Sequence, residues 1–253
     1  MSTNSPLNGK VALITGASQG LGKTMALAIA EGGAHLILIA RNRVRLEEVR
    51  GEIEQRGGSA QIFPADVTQW ERLREIRETV AQKHPKLHIL INNAGINIRK
   101  AMTEFSLEEW RSVIDANLTS AFMVSNLFVP MMKGQGYGRV INMTSMMSHI
   151  ALPGRTAYCA SKAGLLGFTK ALALELAPEQ ITVNGISPGP FATEINTPIL
   201  QNPELNHQFV SKIPIGRWGK LEEIGKLVLY LCAEEAGFIT GTDIVIDGGW
   251  TAQ

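Results

Sequence analysis

Tyr158 and Lys162 lie four residues apart, and Ser145 lies thirteen residues before the tyrosine. On a helix, a spacing of four places two side chains on the same face, one turn apart. A phenol with a pKa near ~10 is a poor base at neutral pH, but a neighbouring ammonium group stabilises the phenolate. We therefore expect Tyr158 to exchange a proton with a substrate oxygen, Lys162 to lower the pKa of Tyr158, and Ser145 to hydrogen-bond that oxygen.

A glycine-rich turn follows the first apolar run of the chain. Gly16, Gly20 and Gly22 stand just after that run, where a strand pattern changes to a helix pattern. Glycines there allow a tight turn, so that a pyrophosphate can rest on the N–H groups of the helix N-terminus. Their spacing differs from the commoner G-x-G-x-x-G fingerprint, and alone they also fit an ordinary strand-to-helix turn. Beside Tyr158 and Lys162, they indicate a nucleotide-dependent redox enzyme.

The second apolar run indicates which coenzyme this turn would bind. An NAD enzyme is expected to carry a carboxylate roughly twenty residues after the glycines, to bind the ribose 2′-hydroxyl. Here the chain reads Ile39-Ala40-Arg41-Asn42, without a carboxylate. A guanidinium matches phosphate oxygens in a bidentate geometry, so Arg41 could pair with a 2′-phosphate; a solvent-facing arginine is the alternative. We predict NADP(H) as the preferred coenzyme, with NAD(H) as the alternative.

Strand and helix patterns alternate along almost the whole chain. Short apolar, β-branched runs predict strands at Val11–Thr15, His35–Ala40, Ala60–Pro64, His88–Asn92, Gly138–Met143, Thr182–Ile186 and Asp243–Ile246. Amphipathic stretches predict helices at Thr24–Glu31, Val44–Arg56, Gln69–Lys83, Leu107–Met132, Ala157–Ala177 and Leu221–Ala233. Strands that are apolar on both faces and alternate with helices indicate a parallel sheet covered on both sides. Because no repeat or linker is visible, we predict one domain over residues 1–253.

Residues 189–219 interrupt this alternation and contain four prolines. An irregular segment of this length inside a compact domain is usually functional. Because it follows the candidate catalytic residues, we predict that it forms a lid over the substrate.

Composition excludes some functions without choosing one. The 253 residues suffice for one large α/β domain, and 24 Lys and Arg against 23 Asp and Glu give a net charge of +1. That balance offers no reason to expect nucleic-acid binding. The five histidines show no metal-ligand spacing, and the two cysteines offer no disulfide framework. We see no signal peptide and no apolar stretch near the ~20 residues that span a bilayer. We therefore expect a cytoplasmic protein without a metal or a membrane anchor.

Six motifs, in this order, resemble those of the short-chain dehydrogenase/reductase family over nearly the whole chain. They are Thr15-Gly-Ala-Ser-Gln-Gly-Leu-Gly22, Asp66-Val67, Asn92-Asn-Ala-Gly95, Asn117, Ser145 with Tyr158-x-x-x-Lys162, and Pro188-Gly189 with Thr193. The resemblance implies a single Rossmann-type, doubly wound α/β domain with a seven-stranded parallel sheet. It implies an oxidoreductase that moves a hydride between nicotinamide and a carbonyl or secondary alcohol. It also implies a homotetramer, with the two long helices at one interface and the last helix and strand at the other.

The resemblance further implies roles for single residues. Lys162 would also bind the nicotinamide ribose, and Asn117 would support a water-mediated proton relay with it. Many NADP-using relatives carry Lys or Arg just before the middle glycine, where this chain has Gln19, so Arg41 remains the main phosphate partner. The full set of expected coenzyme contacts is Gly16, Ser18, Gln19, Gly20, Leu21, Gly22, Arg41, Asp66, Val67, Asn93, Ala94, Gly95, Tyr158, Lys162, Pro188, Gly189 and Thr193.

Three side chains are candidates for the substrate end. Arg99 follows the Asn92–Gly95 motif, Arg155 precedes Tyr158 by three residues, and Met147 follows Ser145 by two. Either guanidinium could hold a carboxylate, although loop arginines are commonly solvated, and methionine can form an adaptable wall. Residues 95–100 and 247–252 resemble gluconate 5-dehydrogenases and related keto-sugar-acid reductases. The expected substrate is therefore a sugar acid such as gluconate or 5-ketogluconate.

Two other functions stay open. One is reduction of acyl chains on acyl carrier protein, or of other hydrophobic ketones; an acidic carrier would favour a basic docking face, whereas residues 175–179 carry two glutamates. The other is a non-enzymatic nucleotide sensor or scaffold. The presence of Ser145, Tyr158 and Lys162 together argues against that last interpretation.

Overall fold

Seven strands form the centre of the computed structural model, which describes residues 5–252. They are β1 (Val11–Thr15), β2 (His35–Ala40), β3 (Ser59–Pro64), β4 (Ile89–Asn92), β5 (Gly138–Met143), β6 (Ile181–Pro188) and β7 (Asp243–Ile246). All pair in parallel, in the order β3-β2-β1-β4-β5-β6-β7. The predicted α/β fold class is confirmed, and β1, β2, β5 and β7 have the predicted bounds.

Helices cover both faces of this sheet. Within the described residues they are α1 (Gly20–Glu31), α2 (Arg43–Gln55), α3 (Trp70–Lys83), α4 (Leu107–Ile114), α5 (Ser120–Phe128), α6 (Thr156–Leu176), α7 (Thr197–Leu200), α8 (Pro203–Val210) and α9 (Leu221–Cys232). Residues of α1, α2 and α9 form one buried cluster, and residues of α3, α5 and α6 form the other. The inner strands β1, β2, β4, β5 and β6 are buried on both faces, whereas the edge strands β3 and β7 are only partly buried.

The order of the strands reverses beside β1. The chain passes from β1 outward to β2 and β3, then returns to place β4 on the other side of β1. The connections that leave the carboxyl ends of β1 and β4 therefore diverge and open a crevice there. In open parallel sheets, this crevice is where ligands bind.

The predicted helix over residues 107–132 is not one regular α-helix. A π-helical stretch, Asp115–Thr119, separates α4 from α5, and a 3-10 turn follows at Val129–Met132. The sequence prediction of an uninterrupted helix was wrong here. Extra residues in a helix of this kind occur frequently at functional sites, and this one contains Asn117.

The same 26-residue segment, Leu107–Met132, is long and apolar enough to cross a membrane by length and composition alone. Length and composition alone are weak evidence for a membrane-spanning helix. Half of its most apolar window is buried inside the protein, and a core helix of a soluble protein meets the same criterion. Its apolar character is accounted for by packing against the sheet, where Val124 and Phe128 are almost fully buried.

Residues 189–219 form a compact segment between β6 and α9, and its two ends lie next to each other at the sheet. Phe191 and Gly219 form an isolated parallel bridge at its base, and the Gly219 N–H donates to the Pro190 carbonyl at 2.9 Å. Helices α7 and α8 lie within it, and Phe209 of α8 stacks on Trp218 with ring centroids 4.7 Å apart. The segment is therefore more ordered than its prolines suggested.

Candidate active site

A cleft of about 760 Å³ opens at the carboxyl ends of the strands, next to the crevice between β1 and β4. Of the predicted site residues, only Asn117 does not line it. Those that do are Gly16, Ser18, Gln19, Gly20, Leu21, Gly22, Arg41, Asp66, Val67, Asn93, Ala94, Gly95, Arg99, Ser145, Met147, Arg155, Tyr158, Lys162, Pro188, Gly189 and Thr193. The structure thus brings together residues that are spread over nearly 180 positions of the chain.

The glycine-rich turn forms one end of the cleft. Gly16 has a φ of +65°, a conformation that side chains disfavour, and a Cβ on Gly22 would lie 2.2 Å from the Gly16 carbonyl oxygen. Asn93 holds the turn from the β4 side, since its Nδ2 donates to the Thr15 and Gly16 carbonyls at 3.0 and 3.1 Å. No side chain caps the N-terminus of α1, so its first N–H groups are available to a phosphate.

The carboxyl end of β2 presents Ala40, Arg41 and Asn42 to the cleft, and no carboxylate. Arg41 is exposed there. A second cation, Arg45 of α2, was not singled out from the sequence. Arg45 Nη1 donates to the Gln19 carboxamide oxygen and pairs with Glu194 Oε2 at 3.2 Å. Because Glu194 is 149 residues away in the sequence, no local pattern could have indicated this pairing.

Asp66 lies beyond the end of β3 in a tight turn. Its Oδ1 accepts hydrogen bonds from the Thr68 N–H at 2.9 Å and the Thr68 hydroxyl at 2.8 Å. These two bonds fix the carboxylate at the rim of the cleft, where Val67 also lies. The position fits a coenzyme contact, which is what the sequence resemblance implies for Asp66 and Val67.

Tyr158 and Lys162 both point into the other end of the cleft from α6. The Lys162 Nζ lies 5.7 Å from the centre of the Tyr158 ring and donates to the Met143 carbonyl at 2.6 Å. Burial lowers the pKa of the Lys162 ammonium to about 8. The lysine is thus a buried cation held between the end of β5 and the tyrosine ring.

The pKa of Tyr158 depends on burial and on neighbours that the Tyr158–Lys162 spacing did not indicate. Burial raises the pKa of the phenol, and this effect outweighs the hydrogen bond from Ser145 and the positive charges of Arg155 and Arg99, which lower it. Ser145 is well placed for this bond because its Oγ accepts the Met147 N–H at 3.1 Å, which leaves its own hydrogen free. In the protein alone, Ser145 and the two arginines therefore favour the phenolate.

Asn117 lies behind the cleft wall, 1% exposed. Its Oδ1 accepts the Ile96 N–H at 2.7 Å, and its Nδ2 donates to the Ile96 carbonyl and to the Ser161 hydroxyl. The Ser161 hydroxyl in turn donates to the Tyr158 carbonyl at 2.7 Å. The side chain of Asn117 therefore joins the loop after β4 to the helix that carries Tyr158. Its part in a proton relay stays a prediction.

Two arginines stand beside Tyr158 at the substrate end. Arg99 is exposed and Arg155 is half-buried. Burial lowers the pKa of the Arg155 guanidinium, and the positive charge of Arg99 lowers it further, so the two cations are close enough to repel each other. Lys100, their neighbour, is occupied by Glu109 at 2.8 Å. An anionic group bound between Arg99 and Arg155 would relieve their repulsion.

Comparison with known proteins agrees with this geometry. A family model described as enoyl-(acyl carrier protein) reductase matches residues 16–251. The chain is 38% identical over 245 residues to the 3-oxoacyl-[acyl-carrier-protein] reductase of Thermotoga maritima, covering 96% of this chain and 98% of that protein. It is 32% identical over 247 residues to the gluconate 5-dehydrogenase of Gluconobacter oxydans, covering 98% and 96%.

A solved structure extends the likeness to three dimensions. The gluconate 5-dehydrogenase of Burkholderia cenocepacia, in complex with NADP and tartrate, superposes with a TM-score of 0.93 at 29% identity, over 99% of this chain and 98% of that one. With its sheet order, its motifs and relatives of this similarity over its whole length, the chain belongs to the short-chain dehydrogenase/reductase family of oxidoreductases.

Proposed function

We propose that this protein is an NADP-dependent oxidoreductase that interconverts a keto-sugar acid and the corresponding hydroxy acid, such as 5-ketogluconate and gluconate. The observation that carries the substrate class is the pair of guanidinium groups, Arg99 and Arg155, beside the Tyr158 hydroxyl. A substrate carboxylate between them would place a carbonyl within reach of the phenol.

The coenzyme proposal is based on the other end of the cleft. The space left by Gly16 and Gly22, and the uncapped N-terminus of α1, suit a pyrophosphate. Arg41 at the end of β2 suits a 2′-phosphate because a guanidinium binds phosphate oxygens in a bidentate manner. When bound, the nicotinamide supplies the hydride for reduction or accepts it in oxidation.

Side chains of the protein would transfer the proton to and from the substrate oxygen. Ser145 would orient the substrate oxygen through its free hydroxyl hydrogen. Tyr158 would donate its proton to that oxygen during reduction and remove it during oxidation. Lys162 would stabilise the phenolate that remains and, as the family likeness suggests, bind the nicotinamide ribose. Asn117 would hold the loop after β4 against α6 and support the return of a proton to Tyr158.

Residues 189–219 would act as the lid of this site. Phe191, Thr193, Glu194 and Asn196 line the cleft from above, and the ion pair of Glu194 with Arg45 connects the segment to the coenzyme end. Closure of such a segment would exclude water while hydride and proton move. We further infer that the enzyme works as a homotetramer in the cytoplasm.

A second candidate is reduction of a 3-oxoacyl group carried by acyl carrier protein. It is favoured by the 38% identity to the Thermotoga reductase, which exceeds the 32% to the Gluconobacter dehydrogenase. The two candidates differ in what Arg99 does. A sugar acid would need the guanidinium as an anion partner, whereas the carbonyl of an acyl thioester is neutral.

Steady-state NADPH oxidation by wild type and Arg99→Ala separates them. For a keto-sugar acid we expect KM to rise about ten- to a hundredfold, because a charge-assisted hydrogen bond is lost. For a neutral ketose or an acetoacetyl thioester KM should hardly change. Arg111→Ala, which removes an exposed guanidinium from α4, is the matched control. Turnover of the thioester alone, or equal losses on all substrates, would contradict the sugar-acid proposal.

A further inference from the structure

A buried carboxylate lies behind Ser145, outside the cleft. The side chain of Asp243, the first residue of β7, is 4% exposed. Three donors surround it: the Thr144 hydroxyl at 2.5 Å from Oδ1, and the Ser187 hydroxyl at 2.6 Å and His149 Nε2 at 2.5 Å from Oδ2. The two hydroxyl distances are in the range that is typical of O–H donors to a carboxylate.

The strands leave space for this carboxylate. Asp243 pairs in register with Gly185 of β6. A Cβ at Gly185 would lie 2.1 Å from Asp243 Oδ1 and 3.1 Å from Thr144 Oγ1. Any side chain at this position would therefore displace the Asp243 carboxylate from Thr144.

The available hydrogens assign the direction of each bond. The Thr144 and Ser187 hydroxyls have one hydrogen each, and both can donate it to an ionised Asp243. The Ser145 carbonyl, which is also near the Ser187 hydroxyl, does not need this hydrogen, because it already accepts the Ser148 N–H at 2.8 Å. The third donor must be His149 Nε2–H. A neutral ring in this tautomer and a protonated ring both provide that hydrogen, so the carboxylate is satisfied in either state.

The donors lie on both sides of the segment that carries Ser145. Thr144 immediately precedes Ser145, and His149 immediately follows the 3-10 turn Met146–Ser148. One carboxylate therefore holds both ends of a six-residue segment. Within that segment, the backbone of Met147 sets the orientation of the Ser145 hydroxyl.

We propose that Asp243 and His149 are positioning residues that hold Ser145 in its orientation toward Tyr158. This inference rests on the proposed roles of Ser145 and Tyr158. Neither Asp243 nor His149 is among the described residues that line the cleft, so each acts through the segment and touches no substrate. His149 is the weaker anchor, with a side chain one-third exposed, and its removal leaves Thr144 and Ser187 in place.

The test compares His149→Ala with His149→Gln, because a glutamine amide nitrogen can take the place of Nε2. His84→Ala, which removes an imidazole at the end of α3, is the control. His149→Ala should lower kcat about ten- to a hundredfold, the size of effect that a displacement of a catalytic group by about 1 Å produces. His149→Gln should restore kcat to within about threefold of wild type, and NADPH affinity should stay within about twofold in both variants.

A pH profile distinguishes positioning from a loss of stability. The hydrogen bond from Ser145 lowers the pKa of Tyr158. If Ser145 moves, that pKa rises, and the ascending limb of kcat for alcohol oxidation moves to higher pH in His149→Ala but not in His149→Gln. The other titratable groups at Tyr158, which are Arg155, Arg99, Cys159 and Lys162, are unchanged in both variants, so they cannot cause a shift.

Ultraviolet titration of the phenol, with Tyr158→Phe as reference, reads the same shift without any substrate. This is practicable because the chain has three tyrosines. If no carbonyl is turned over by the wild type, the proposed function fails while this titration still tests the positioning. An unchanged Tyr158 pKa with kcat within twofold of wild type in His149→Ala, or a loss that His149→Gln does not restore, would overturn the inference.

Discussion

The two ends of the cleft are built in different ways. The coenzyme end consists mainly of backbone: glycines whose missing side chains make room, the free N-terminus of α1, and the Asn93 amide that joins two strand ends. The substrate end consists of long side chains on loops, above all Arg99 and Arg155. Backbone cradles recognise what all dinucleotides share, whereas loop side chains can be exchanged without changing the fold.

This difference explains why relatives with different substrates are about equally similar to this chain. The Thermotoga acyl reductase and the Gluconobacter dehydrogenase are 38% and 32% identical to it, each over nearly its full length. An identity averaged over nearly 250 residues says little about the few side chains that contact a substrate. Identity alone therefore assigns the reaction class, and the side chains of the substrate end must assign the substrate.

The largest effect should come from the group that both ends need. Tyr158→Phe removes the proton donor and keeps the ring, so kcat should fall about 10²- to 10⁴-fold, the usual contribution of general acid–base catalysis. The NADPH dissociation constant, measured by fluorescence titration, should change only a few-fold. A variant that retained more than half of the wild-type kcat would show that the proton comes from elsewhere.

The coenzyme end can be tested by exchanging its one charged determinant at β2. Ala40→Asp places a carboxylate where it can accept a hydrogen bond from a ribose 2′-hydroxyl. Arg41→Leu removes the guanidinium that would bind the 2′-phosphate. The kcat/KM ratio of NADPH to NADH should fall about ten- to a hundredfold, because a charge-assisted bond is lost.

Arg45→Ala serves as the comparison variant for this exchange. The Arg45 guanidinium contacts Gln19 and Glu194. A smaller loss of NADPH preference in Arg45→Ala than in the double exchange would show that Arg41 contributes most of the binding energy for the 2′-phosphate. Equal kcat/KM for the two coenzymes in the wild type would mean that Arg41 binds no phosphate.

The predicted tetramer should form through two surfaces that expose apolar side chains. Apolar side chains are exposed on two surfaces, one with Phe122 and Leu174 and the other with Tyr230, Phe238 and the edge strand β7. Unpaired edges and apolar patches of this kind mark interfaces. Light scattering should give about four times the chain mass of 27.5 kDa, and Leu174→Glu should reduce it, whereas Val44→Glu on α2 should not. A stable monomer at micromolar concentration would contradict the tetramer.

Sequence patterns predicted the sheet well because its strands carry their own signal. Gly138–Met143 is buried throughout, and Val140, Ile141 and Met143 carry the strand signal although Arg139 and Asn142 interrupt the apolar run. Helix α8 also carries a readable signal that was overlooked, since Asn202 caps it and Pro203 follows at its first position. A capping residue and a proline inside an irregular segment predict a short helix.

Other features depend on contacts between distant parts of the chain. The π-helical stretch at Asn117 places its amide on Ile96 and Ser161, and apolar periodicity does not show an inserted residue. The contacts of Arg45 with Glu194 and of His149 with Asp243 join residues 149 and 94 positions apart. No local pattern indicates which of several arginines or histidines finds such a partner.

The smallest predicted effect concerns the stability cost of the catalytic lysine. The pKa of Lys162 falls from 10.5 to about 8 on folding. Below pH 8 the lysine is charged in both states, so the penalty for burying the charge is fully present. Between pH 8 and 10.5 the folded protein releases the proton that the unfolded chain keeps, so wild-type stability rises with pH relative to a chain without this lysine. A depression of this size corresponds to about 3 kcal/mol.

Lys162→Met should therefore have a higher Tm than wild type near pH 7, by about 5–10 °C. The loss of the hydrogen bond to the Met143 carbonyl should reduce this gain in Tm. The difference in Tm should shrink steadily as the pH rises from 8 toward 10. Lys170→Met, an exposed lysine of the same helix, should show no such trend. A Tm difference that is independent of pH would mean that Lys162 keeps an ordinary pKa, and that its charge is accommodated in the cleft without cost.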